Sequence, residues 1–91
     1  MNNTKIQISI PKYDPSIGLK FEWEDNPIIS TSYKKDEIII SANKDGLVSL
    51  ARHLLTLAQD KVPKGHHIHL DELAGLENGS LSLIIEKIQE Q

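Results

Sequence analysis

Between Asn43 and Pro63, apolar side chains recur at helical spacing, and this one segment limits the folds open to the chain. Leu47, Leu50, Ala51, Leu54, Leu57 and Ala58 fall at the 3.6-residue period that aligns them as one stripe. Asn43 offers a side-chain oxygen to the first unpaired N–H groups. Asp45 suits the positive end of the helix dipole, and Pro63 and Gly65 stop the helix. Gly46 costs about 1 kcal/mol relative to Ala in a helix interior and less near an end; the stripe outweighs it. A lone amphipathic helix must lay its stripe on something else, and the remaining segments read as strands.

Residues 5–10 alternate Ile6, Ile8 and Ile10 with Lys5, Gln7 and Ser9, the period-two mark of a strand with one buried face. Pro11, Pro15 and Gly18 punctuate the connection after this strand. In residues 19–24, Leu19, Phe21 and Trp23 share one face and Lys20, Glu22 and Glu24 the other; Asp25-Asn26-Pro27 then turns the chain. Residues 28–33 and 37–42 are joined by Lys34-Lys35-Asp36, a length that suits a tight hairpin. Ile38-Ile39-Ile40 has no polar interruption, which predicts a central strand covered on both faces. After the helix, residues 66–70 set His66, Ile68 and Leu70 against His67 and His69. Residues 71–80 form a loop containing Asn78-Gly79, at home in positive-φ turns. Residues 81–88 make the last strand, with Leu81, Leu83 and Ile85 on one face, and Glu90 and Gln91 fray.

The expected fold is therefore a single α+β domain over residues 1–91. It is a two-layer sandwich, with one amphipathic helix packed on a mostly antiparallel sheet of five or six strands. Ninety-one residues suffice for one domain and are too few for two. No cysteine is present, so no disulfide or Cys-based zinc knot staples the fold. No stretch approaches the roughly 20 apolar residues of a membrane helix. Met1-Asn2-Asn3-Thr4-Lys5 lacks the apolar run of a secretory signal. The expected location is cytoplasmic, with no membrane partner. The balance of 10 basic and 13 acidic side chains gives a net charge of −3. Lys34-Lys35 is followed at once by Asp36-Glu37. No concentrated basic surface is on offer for phosphates, which disfavours nucleic acid and suits a basic protein partner.

Three sets of residues could carry chemistry. His67, His69 and Asp71 share one face of an extended segment, a spacing that can chelate zinc through two ring nitrogens and one oxygen. The set resembles the start of the HxHxD motif of metallo-β-lactamase-like hydrolases. Those enzymes need a second histidine after the Asp, and Glu72 stands there instead. The simpler reading is a solvated strand face. Glu22 with Glu24, and Asp71 with Glu72, are paired carboxylates in polar surroundings, where acid–base catalysis lacks the burial that separates pKa values. No Gly-x-Ser-x-Gly elbow and no phosphate loop occurs, and nothing marks a cofactor site. Trp23, the single tryptophan, reads as core through Phe21 and Leu19. Alternatively it is an interface anchor, with Glu22 and Glu24 steering a basic partner.

The segments His66-His67-Ile68-His69-Leu70-Asp71-Glu72 and Leu83-Ile84-Ile85-Glu86-Lys87-Ile88 resemble the Immunity protein 32 family of bacterial polymorphic toxin systems. So do Asn43-Lys44-Asp45-Gly46-Leu47 and Leu50-Ala51-Arg52-His53-Leu54-Leu55. The resemblance spans about the last half of the chain and carries over no catalytic residue. It implies a small α+β protein that binds and blocks a toxin encoded beside it. The reading is a non-catalytic binding protein without cofactor, contacting its partner through Glu22, Trp23, Glu24, His67, His69, Asp71 and Glu72. A structural or regulatory homo-oligomer, such as a homodimer, is the alternative. A small metal-dependent hydrolase using His67, His69 and Asp71 comes third.

Overall fold

A computed structural model describes residues 2–89, so the fraying expected at Glu90 and Gln91 falls outside the described residues. The elements are β1 (Ile29–Lys34), β2 (Glu37–Ala42), α1 (Lys44–Leu57), β3 (His67–Leu70) and β4 (Leu83–Glu86). The fold is α+β, but the strands form two separate two-stranded antiparallel sheets, β1–β2 and β3–β4, not one sheet of five or six.

The β1–β2 hairpin turns at Lys35 and Asp36, whose φ angles of 53° and 64° are those of a two-residue turn that matches strand twist. Tyr33 donates its hydroxyl proton to Asp36 Oδ1 at 2.8 Å across that turn. The outer edge of β1 is occupied by the loop after β3: Glu77 N–H donates to Ile29 O at 2.8 Å and Leu81 N–H to Thr31 O at 3.3 Å. This loop joins the two hairpins without completing a ladder.

The outer edge of β2 has no neighbour among the described residues. Ile29 and Thr31 point their backbone groups away from β2, so their partners Ala42 and Ile40 point theirs away from β1, as does Ile38. Ile38 is 71% exposed, and Ile39 and Ile40 are exposed as well. The three isoleucines therefore lie on an open edge strand and not in a covered central one, because no further strand reaches β2.

Among the described residues, the two N-terminal segments read as strands pair with no strand. Their backbone, and that of the turn after them, bonds instead to side chains of α1 and of its cap Asn43. Ser49 Oγ accepts from Glu24 N–H at 2.9 Å, Asp45 Oδ2 from Asn26 N–H at 3.1 Å and Asn43 Oδ1 from Ile28 N–H at 2.9 Å. Arg52 Nε donates to Ser9 O at 3.0 Å. Beyond the helix, Gln59 clamps the chain at both sides of Lys12, donating to Pro11 O at 2.9 Å and accepting from Tyr13 N–H at 3.0 Å.

This arrangement also rotates the helix relative to the expected stripe. The buried face is Gly46, Ser49, His53, Thr56 and Leu57. Leu47 is 57% exposed, and Leu54, Leu55, Ala51 and Ala58 are exposed too. Small and polar residues face inward because the overlying chain lies close and donates its Glu24 N–H to Ser49 Oγ. Gly46 allows the closest approach: a Cβ there would stand 2.7 Å from Ile28 O. Asn43 caps the helix as expected, accepting from Gly46 N–H at 2.7 Å. The last helical residue is Leu57, with Ala58 N–H donating to Leu54 O, so the helix ends before Pro63 is reached. The core comprises Ile29, Leu57, Val62, Ile68, Leu70 and Leu76, flanked by Leu19, Phe21, Leu50 and Ile85.

Candidate functional site

Phe21 and Trp23 stand two residues apart on the extended segment that crosses α1, so both rings reach the same side of it. There they meet His53, which lies one helical turn beyond Ser49, the residue that fixes Glu24. The imidazole makes edge-to-face contacts with both rings, at centroid distances of 5.2 Å to Phe21 and 4.3 Å to Trp23. β3 contributes Ile68, His69 and Leu70, and the loop after it Ala74, Gly75 and Glu77. Together these side chains line an open cleft of about 550 Å³, a size typical of ligand pockets.

Gly75 is required at the wall. Its φ of +98° is a left-handed conformation, and a Cβ there would overlap the Trp23 indole. The loop is shaped by its own carboxylates. Asp71 Oδ1 accepts from Leu73 N–H at 2.9 Å and Glu72 Oε2 from Gly79 N–H at 3.0 Å.

His53 is 1% exposed, and among the described residues neither ring nitrogen has a hydrogen-bond partner. Burial, and secondarily the Arg52 charge, push its pKa down to about 4. At neutral pH the ring is therefore uncharged, with one N–H donor and one acceptor nitrogen. Buried polar atoms are nearly always satisfied, which makes this pair the most unusual polar feature of the cleft.

The residues singled out in the sequence divide around this cleft. Trp23, 38% exposed, and His69 line it together. Asp71 and Glu72 shape the loop that forms its wall. Glu24 is spent on Arg52, at 2.6 Å. Glu22 lies on the other side of the segment, in a second cleft with Lys20 and Lys61. His67 is exposed on β3. His69 Nε2 stands 3.8 Å from Asp71 Oδ2, yet among the described residues no three metal-ligating side chains gather closely enough to hold an ion. Among the described residues, too, no helix is long and apolar enough to cross a membrane.

His53, Phe21, Gly75 and Glu77 escaped the sequence reading as site residues. The available signal was the line Gly46, Ser49, His53 and Thr56 at spacings of three and four. On a helix that line makes a small, polar ridge beside the leucines, about 100° round the axis, one that can receive a chain laid across it.

Compared with known proteins, residues 37–88 match the family model described as Immunity protein 32, more than half of the chain. Neither a curated protein nor a solved structure matches. The matched span holds His53, β3 and the loop wall of the cleft, whereas Phe21, Trp23 and Pro27 lie before it.

Proposed function

This chain belongs to the Immunity protein 32 family, and from that premise we propose that it is a non-catalytic binding protein that neutralises a toxin encoded beside it. The toxin belongs to a polymorphic toxin system, and the two meet in the cytoplasm of the producing cell. The protein acts by occlusion, seating the cleft bounded by Trp23 and His69 over a functional surface of the toxin. The observation that carries this reading is the partly exposed Trp23 at the mouth of an apolar cleft, since tryptophan in such a setting is the commonest kind of binding hot spot. The net charge of −3 favours a basic toxin through steering.

Co-expression with the neighbouring toxin tests it. Soluble wild-type protein is expected to rescue growth, and Trp23→Ala to weaken toxin binding by roughly 30-fold or more, the usual scale for a tryptophan anchor. Continued cell death in the presence of soluble protein would sink the idea.

A second reading is favoured by one observation, the open β2 edge with its three exposed isoleucines. Such an edge is a template for pairing with another strand, here β2 of a second copy in a homodimer. Sedimentation at micromolar concentration is expected to give a dimer on this reading, and Ile40→Lys a monomer. A wild-type protein that sediments as a monomer throughout rules it out.

A further inference from the structure

We propose that the Trp23–His53 cleft is a receptor for one phenolic side chain, a tyrosine projecting from the toxin, with His53 as the group that recognises its hydroxyl. The inference rests on the immunity reading and adds the chemistry of the contact.

The case begins with what the cleft excludes. The rings of Phe21 and Trp23 and the aliphatic side chains of Ile68 and Leu70 line it around His53, with His69 and the exposed Glu77 also on its lining. A charged group placed among the rings would lose its hydration with little return. The nearest cation, Arg52, is already held by Glu24 at 2.6 Å, so it does not offer itself to a carboxylate. Its positive charge acts on His53 and so also opposes a lysine or arginine reaching the imidazole. The part of the occupant that packs among the rings is therefore neutral, while a cation elsewhere on the same partner would find Glu77 at the exposed side.

That part must also be polar at one point. The neutral imidazole presents a donor and an acceptor, both without partners among the described residues, and leaving such atoms unsatisfied costs free energy on every side. A purely aliphatic or phenyl group would fill the volume and leave both nitrogens as they are. A phenol oxygen can meet one of these nitrogens, donating to the acceptor or accepting from the N–H, and it is carried on a ring suited to edge-to-face packing with Trp23 and Phe21. The cleft, at about 550 Å³, has room for the ring and for the backbone on either side of it.

Access is through Trp23. His53 lies beneath the indole, 4.3 Å between centroids, and the indole is the half-exposed wall of the cleft. On this proposal the hydroxyl reaches the imidazole when the Trp23 side chain rotates aside. Because Trp23 is the single tryptophan, fluorescence excited at the red edge of the indole band, clear of the tyrosines and the phenol, reports on this side chain.

The test titrates the purified full chain with 4-methylphenol and with toluene, which differs by the hydroxyl. Trp23 fluorescence and the His53 ring NMR signals are followed. The phenol is expected to bind about tenfold more tightly than toluene, one hydrogen bond's worth, and to shift the His53 ring nitrogen that it bonds. His53→Leu is expected to abolish the preference. Should that variant not fold, the comparison on wild-type protein decides alone. Equal binding of the two compounds, or no response to either, overturns the proposal.

A second arm adds the toxin. Saturating 4-methylphenol is expected to displace it. If the phenol binds and the toxin remains bound, the cleft serves a free phenolic molecule and the assignment to a toxin side chain is overturned. The first arm needs no toxin, so its failure leaves the immunity reading standing. Failed rescue in co-expression with phenol binding intact removes that reading instead.

Discussion

Lowering the pH from 6.5 to 4 is expected to destabilise the fold by roughly 2–3 kcal/mol through His53 alone, and a His53→Phe variant is expected to lack that loss. The folded pKa is depressed from 6.5 to about 4, chiefly by burial and then by Arg52. Above 6.5 the ring is neutral in both states and the pH has no hold on it. Below 6.5 the unfolded chain takes up a proton that the folded chain refuses, so unfolding gains with each step down. The loss levels off below about 4, where the folded ring also protonates. His69 and Glu77 share the cleft with His53, and Arg52 is bound to Glu24; replacing His53 leaves all four in place. Asp14, held below the usual 3.8 by hydrogen bonds from the Ser16 backbone and side chain, loses its contribution only below that pH. Its titration therefore lies outside the window. Urea unfolding at pH 7, 6, 5 and 4.5 makes the measurement. Parallel pH profiles for wild type and His53→Phe would show that the imidazole is not responsible.

Gly46→Ala is expected to destabilise the chain by about 2–3 kcal/mol, in spite of a gain of about 1 kcal/mol in helix propensity. At this chain length that lowers the thermal midpoint by roughly 10–20 °C. The added methyl would stand 2.7 Å from Ile28 O, 2.8 Å from Ile29 Cγ1 and 3.1 Å from Ala42 Cβ. None of these can yield easily. Ile28 O is backbone and accepts from Asn43 N–H, Ile29 is wholly buried, and Ala42 ends β2. The helix cannot retreat without straining the Asn43 cap, whose side chain also holds Ile28 N–H and Asn26 O. Thermal unfolding of the variant is the check, and a midpoint at or above that of wild type would mean that the helix start is free to slide.

Gly46 also shows where sequence reading reached and where it stopped. Asn43 as a cap, the helix it starts and the hairpin around Lys35-Asp36 were all legible, because each depends on a few neighbouring residues. So was the alternation in β3, where Ile68 and Leu70 point inward and His67 and His69 outward. Residues 5–10 and 19–24 alternate just as clearly, yet among the described residues they join no sheet. Alternation reports which side chains can share a face, not whether the backbone finds a strand or a serine to bond to. Likewise the leucine stripe of α1 reports an apolar face, but Ser49 and Asp45 hold the overlying chain against the side of the helix next to it. The family kinship was carried by residues 37–88. The cleft itself stayed hidden because it is assembled from three distant segments, and a lone histidine such as His53 carries no mark of burial in the sequence.

The bare flank of β2 has a consequence for how this molecule lives among its own copies. Three greasy side chains on a strand with spare backbone donors and acceptors make a strip that adheres more as the solution becomes more crowded. No proline, lysine or bulge between Glu37 and Ala42 blunts it. The strip is a route to strand pairing between copies, and whatever covers it closes that route.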